Sequence, residues 1–282
     1  SKNEIYNDVS DTALGSYFGG GTTVGGNDGT VLQYAQLAIP AERVDEALVI
    51  VMMNSDAYAG TCYMYYPTEG DYGNGASVAY FPLGSDDTMF AGLLHHEANG
   101  HGFAKLGDEY YYEYLGKMPA NEMQETIRMQ GFGWYPNISF SDDPTTVNWA
   151  DFIEDPRYAS EQIGIYEGGM TYPIGVYRPT ATSIMVYNEG DFNAPSRAAI
   201  YNRIHKLAFG ESWQFNYEQF VEYDAVNRTA EAVANRKKAA ATKEKLPPLT
   251  PPVVIKQPWR EIVPAAAHQR NTNKPNKTQP MQ

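Results

Sequence analysis

The sequence predicts an α/β (α+β) domain with a twisted mixed β-sheet, one helix carrying a histidine cluster, and a C-terminal helical subdomain. Leu48-Val-Ile-Val-Met-Met53 is a continuous apolar run of strand length, rich in β-branched residues. Thr61–Tyr66 and Ala76–Leu83 follow as strand candidates on either side of a Gly/Asp/Asn-rich turn, Glu69–Gly75. After Ser85 the apolar period becomes helical, with Met89, Phe90, Leu93 and Leu94 forming a stripe.

In chain order, the first thirty residues are polar and Gly-rich, which predicts loops around a short helix near Thr12–Phe18. Thr30–Leu37 has helical spacing, and Ala41–Ala47 supplies another turn or two. Leu48–Met53 is expected at the buried centre of the sheet, because strands covered on both faces read as unbroken apolar runs. Ser85 or Asp86 caps the next helix, where acidic residues suit the positive helix end. A helix is expected over Asn121–Gln130. Residues 132–182 read as mostly irregular, with turns at Trp134-Tyr-Pro, Asp142-Asp-Pro and Glu167-Gly-Gly, and long loops of that kind usually wall a binding site. Asn193, Pro195 and Gly210 bracket a helix with the stripe Ile200, Ile204, Leu207 and Ala208. Trp213–Tyr223 holds another short helix, and Thr229–Lys245 a frayed one. Residues 1–245 therefore form the folded domain, and Pro-rich residues 246–282 an extended or disordered tail.

Composition narrows the function. With 21 basic against 34 acidic side chains, the net charge of -13 repels phosphate backbones and anionic lipid, so nucleic acid and membrane surfaces are poor partners. The apolar run Ala47–Met53 is far below the roughly 20 residues of a membrane span. A single cysteine, Cys62, excludes an internal disulfide framework and reads as a small buried hydrophobe. Ser-Lys-Asn-Glu-Ile at the start has no signal-peptide architecture and reads as a chain entered partway along.

The chemistry concentrates in His95-His96-Glu97-Ala98-Asn99-Gly100-His101, followed by Asp108-Glu109. Three of the five histidines lie within seven residues, beside a glutamate, which points to a zinc site. The zincin spacing His-Glu-x-x-His places two imidazoles one helical turn apart. Here His96 and His101 are five apart, roughly 140° around a regular α-helix. They share a metal only if the helix widens to i→i+5 bonding, and Asn99-Gly100 is the expected place for that distortion. On this reading Zn²⁺ takes His96 and His101, with Glu97 as the general base for an attacking water. Asp108, placed just beyond a turn at Gly107, is the expected third ligand. Glu109 is the near alternative, and Glu122 or Glu125 on the following helix the remote ones. His95 is expected to pack or to support a ligand.

Ser183-Ile-Met-Val-Tyr187 resembles the Met-turn of the metzincin metalloproteases. That resemblance makes Met185 the floor of the site and Tyr187 a catalytic phenol that stabilises the oxyanion, as in the astacin-like branch. Asn54-Ser-Asp-Ala-Tyr-Ala-Gly60, His96-Glu97 through Asp108-Glu109-Tyr110, Tyr166-Glu-Gly-Gly169 and Gly175-Val-Tyr-Arg-Pro179 together resemble the IgA-peptidase family of zinc metallopeptidases, in its Bacteroides-type branch, over roughly residues 10 to 225. The departure is the extra residue in the histidine motif. A His-Glu-x-x-Gly-His core also resembles that of dipeptidyl peptidase III, where the insertion sits in a working zinc site.

The resemblance implies a metzincin-like zinc endopeptidase acting on host proteins, including glycoproteins such as mucins or immunoglobulin A. It implies a secreted, periplasmic or cell-surface location, the signal lying outside this chain. The strand near Ala76–Phe81 is expected along the cleft rim, pairing with an extended substrate. The rival expectation is a glycan- or peptide-binding module on an inactive metallopeptidase fold.

Overall fold

A computed structural model describes residues 13–67, 75–188, 190–241 and 246–263. The Glu69–Gly75 turn, apart from Gly75, and the last part of the C-terminal tail lie outside the described residues. Strands β1 (Tyr17–Gly20) and β2 (Thr23–Gly25) form a hairpin, followed by helix α1 (Asp28–Ala38). Tyr17 and Phe18 thus belong to a strand where the sequence predicted a helix. The Gly19-Gly20-Gly21 run favours a tight hairpin over a helical turn, with Gly20 and Gly21 both at positive φ.

The main sheet contains β3 (Leu48–Met53), β4 (Thr61–Tyr65) and β5 (Ser77–Pro82). It also contains β8 (Val253–Ile255), in the spatial order β3-β5-β4-β8. Pairing is parallel for β3 with β5, antiparallel for β4 with β5, and parallel for β4 with β8, so the sheet is mixed as expected.

Two expectations about strand position are overturned. The apolar run β3 is an edge strand, with Ile50 and Met52 exposed, whereas β5 is central and buried throughout. For the same reason β5 cannot pair with a substrate, since both its edges are taken. An apolar run specifies a strand; which neighbours its backbone finds depends on the crossover and the hairpin.

Side-chain alternation explains how both faces are covered. Val78 and Tyr80 of β5 pack with Val31 and Leu32 of α1, while Ala79 and Phe81 point the other way, into a cluster with Cys62, Met64, Leu93 and Ala98. That second face carries α2 (Asp87–Leu93) and the histidine segment that continues it. Asp86 caps α2 by accepting from the Thr88 and Met89 amides.

Beyond the histidines come α3 (Ala120–Gln130), the single turn α4 (Ala150–Ile153), and a hairpin of β6 (Tyr166–Gly169) and β7 (Tyr172–Arg178). The segment read as irregular therefore contains a hairpin. Glu167-Gly-Gly is strand, and the reversal falls on Met170 and Thr171, both at positive φ. The C-terminal subdomain holds α5 (Ala194–Phe209), α6 (Tyr217–Tyr223) and α7 (Ala230–Ala240), with α5 and α6 packed around Trp149, Phe152, Tyr158, Tyr201 and Phe220. Arg197 of α5 joins Glu161 and Asp224 at 2.7 and 2.8 Å.

The Pro-rich segment was expected to lie outside the domain. Residues 246–263 are extended in part but belong to the sheet and core: Val253–Ile255 pairs with Tyr63–Tyr65, and Leu249 and Trp259 are buried. The apolar residues scattered among its prolines are the cause. No described helix is long and apolar enough to cross a membrane.

Candidate metal centre

Leu94–Phe103 is a π-helix, continuing α2 without a break. The widening expected at Asn99-Gly100 extends over the whole segment, and the Ala104 amide bonds Asn99 O at 2.9 Å to close it. With i→i+5 bonding, residues five apart fall one turn apart. His96 and His101 therefore face each other, their Nε2 atoms separated by 3.1 Å.

Gly100 has a different role from the one its conformational freedom suggested. Its φ is not positive; a Cβ there would lie 2.6 Å from Met185 Sδ. Glycine is required because Met185, fully buried, packs directly against the helix backbone. Gly102 is confined likewise by Leu48, and Gly60 by Glu97.

Lys105, at φ 56°, turns the chain back toward the histidines, so the reversal expected at Gly107 occurs two residues earlier. Its buried ammonium donates to Gly75 O at 2.8 Å and to Ser77 Oγ at 2.5 Å. Gly107 is gripped by Asn137, whose amide accepts from its N–H at 2.8 Å and donates to its carbonyl at 2.9 Å. Asp108 then enters the site, with Oδ1 3.2 Å from both Nε2 atoms.

The three side chains form the cluster of possible metal ligands found among the described residues, all buried. His96 Nδ1 lies 2.8 Å from Ile184 O and His101 Nδ1 2.8 Å from Leu106 O. A carbonyl only accepts, so each Nδ1 carries the proton and each neutral ring turns an Nε2 lone pair inward. Two lone pairs and a carboxylate oxygen then converge with no hydrogen between them. Asp108 Oδ1 is buried without a hydrogen-bond partner. Donors that share a tetrahedral metal at about 2 Å stand roughly 3.3 Å apart, so the set fits a cation.

Glu97 lies beside this triangle, fully buried, both carboxylate oxygens without a hydrogen-bond partner. Burial pushes its pKa up to about 8, with His96 pulling down and Asp108 pushing up. Burial also raises Asp108; only when His101 and His96 are protonated do their charges and hydrogen bonds outweigh it and hold it at about 2.

The other candidate ligands are engaged elsewhere. Glu109 accepts from Ser183 Oγ at 2.6 Å, from Asn137 at 2.9 Å and from Asn193 at 3.1 Å. Burial raises its pKa against those three donors. Glu122 accepts from the Tyr172 hydroxyl, and Glu125 pairs with Arg128 and Tyr66. His95 packs at 6.1 Å from the Phe192 ring.

The turn Ser183–Tyr187 lies under the histidines, with the Ile184 carbonyl on His96 and the Met185 carbonyl accepting from the Glu109 amide at 2.8 Å. Tyr187 is half-buried in that turn and is not part of the triangle. Sequence reasoning missed Asn137 and the second role of Asn193, which caps α5 through its Oδ1 and also holds Glu109. The buried Glu109 carboxylate needs donors, but nothing in the sequence says where they come from.

No curated protein matches the chain. A family model described as IgA Peptidase M64 matches residues 7–159, more than half of the chain and all of Glu97 and the metal triangle. On that match, with the site it encloses, the chain belongs to the IgA peptidase M64 family and is a peptidase.

Proposed function

We propose that the chain is a zinc-dependent endopeptidase in which His96, His101 and Asp108 hold the metal and Glu97 is the general base. The convergence of two imidazole lone pairs and one carboxylate oxygen within 3.2 Å, beside a carboxylate without a partner, carries this reading. Two nitrogens and one oxygen suit zinc and leave a fourth position. A bound zinc supplies Lewis-acid polarisation and activates water at neutral pH.

The residues supply the rest. Glu97 takes the proton of the attacking water and returns it to the leaving amine, so the peptide C–N bond breaks as the new C–O bond forms. Ile184 O and Leu106 O fix the two imidazole tautomers and orientations. Met185 packs the π-helix from below, and Tyr187 is the candidate phenol donor toward the developing oxyanion. The family's description names an IgA peptidase, which makes immunoglobulin A, and with it other host glycoproteins of the mucin type, the first substrates to try. Such substrates put the enzyme outside the cytoplasm, secreted, periplasmic or at the cell surface.

Metal analysis of the purified chain with digestion of bare and glycosylated proteins tests this reading. Near one zinc per chain, cleavage abolished by chelator, and a Glu97→Gln variant that keeps zinc without turnover are expected. Retained turnover in that variant would remove Glu97 from the mechanism. The complete burial of Glu97 favours a second reading, a glycan- or peptide-binding module on an inactive fold. Zinc well below one per chain and binding indifferent to chelator would select it.

A further inference from the structure

We propose that residues 246–255 are an autoinhibitory strap that closes the catalytic centre of their own chain. This rests on the reading of that centre as a peptidase site. Glu97 and His101 are 0% exposed, His96 2% and Asp108 3%. Hydrolysis brings a water and a peptide carbonyl to Glu97, so the observed arrangement is a closed state.

The strap's contacts place it beside the site. The Pro247 carbonyl accepts from the Tyr58 hydroxyl at 2.9 Å, and the Leu249 carbonyl from the Tyr110 hydroxyl at 2.7 Å. Tyr110 follows Asp108 by two residues. The Leu249 side chain is buried in the cluster that contains Cys62 and Ala98. Thr250 Oγ1 lies 2.9 Å from the hydroxyls of Thr22 and Thr23. The Gly60 amide donates to Thr22 O, and Gly60 is the glycine on which a Cβ would meet Glu97 Oε1 at 2.8 Å. Running the parallel register back from Tyr63↔Val253 sets Thr250 and Pro251 beside Gly60 and Thr61, at the end of β4 nearest Glu97.

The strap is built to leave. Prolines 247, 248, 251 and 252 have no N–H, so they donate nothing to the β4 edge. β8 is three residues long and half-buried. Trp259, fully buried, anchors the far end, so a released strap stays tethered. Its departure frees the outer edge of β4, which can take an extended peptide by strand addition. Strap and substrate would compete for one edge.

Leu249→Asp in the full chain tests this, because a carboxylate cannot occupy that apolar site. Hydrogen exchange of residues 61–66 reports release, through the Tyr66 amide that bonds Ile255 O. Zinc uptake by the metal-free chain reports access. Both should accelerate, uptake and peptide turnover by about tenfold, in inverse proportion to the open fraction of the parent. A synthetic peptide of residues 246–255 should slow them again.

Faster exchange with parental zinc uptake and turnover would overturn the strap. If no form cleaves any peptide while uptake still accelerates, the strap stands and the peptidase reading falls. Should Leu249→Asp not fold, the double variant Tyr58→Phe, Thr250→Ala removes polar ties without touching the core and is read the same way.

Discussion

Ser183 Oγ donates a 2.6 Å hydrogen bond to Glu109 Oε2 across 74 residues of chain. The Glu109 amide bonds Met185 O in return, so the loop carrying Asp108 and the turn beneath the histidines are tied twice. Ser183→Ala removes a charge-assisted donor from a fully buried carboxylate, a loss of about 1.5–3 kcal/mol. Because Glu109 adjoins Asp108, zinc affinity should also fall, by about 10- to 100-fold, the range for groups that support ligands. Denaturant melts and a chelator-competition titration measure the two effects; unchanged affinity would make the tie purely structural.

Gly100 and Met185 should be coupled. Gly100→Ala drives a Cβ against Met185 Sδ and should cost about 1–3 kcal/mol by overpacking. In a Met185→Ala background the same change should cost far less, since the sulfur is gone. A double-mutant cycle in urea checks this, and additive losses would show that the two residues do not press on each other.

Metal removal should lower the melting temperature. A cation that binds the folded chain alone stabilises it by about 2.7 kcal/mol at a hundredfold excess over Kd. Zinc should therefore raise the melting point of the parent and leave that of His101→Ala unchanged. Equal shifts in both would move the binding elsewhere.

Acid should weaken the helical subdomain through Asp155. Side-chain hydrogen bonds from Arg157 lower its pKa most; burial opposes, and the Arg157 amide and Tyr217 hydroxyl add, from the ordinary 3.8 to about 2. The folded state thus holds this proton less tightly than the unfolded chain. The stabilisation is complete above about pH 4 and is lost as pH falls through 2. Asp155→Asn should lower the melting temperature at pH 7 and make little difference at pH 2. A constant difference across that range would assign the effect to packing.

The histidine spacing shows how much was legible. A separation of five positions between His96 and His101 excludes a regular α-helix around a shared metal, so the sequence demanded i→i+5 bonding, and a π-helix is present. Asp86, Asn193 and Gly210 likewise mark their helix ends by local chemistry, because a cap acts within a few residues. Sheet order was not legible. Leu48–Met53 and Ser77–Pro82 are both apolar, and which one is central depends on strand pairing that no local pattern encodes.

The sequence by itself determined the two imidazole donors and a short list of carboxylates, the widened helix turn and the acidic net charge. It did so because ligand identity, helical phase and net charge follow from residue type and spacing. Tertiary structure decided which carboxylate joins the histidines: it spends Glu109 on Ser183, Asn137 and Asn193 and leaves Asp108 Oδ1 without a hydrogen-bond partner. It also brought a Pro-rich segment, read as a tail, back along β4. Both decisions join residues tens to hundreds of positions apart, where the free energy comes from desolvation and packing and not from local spacing.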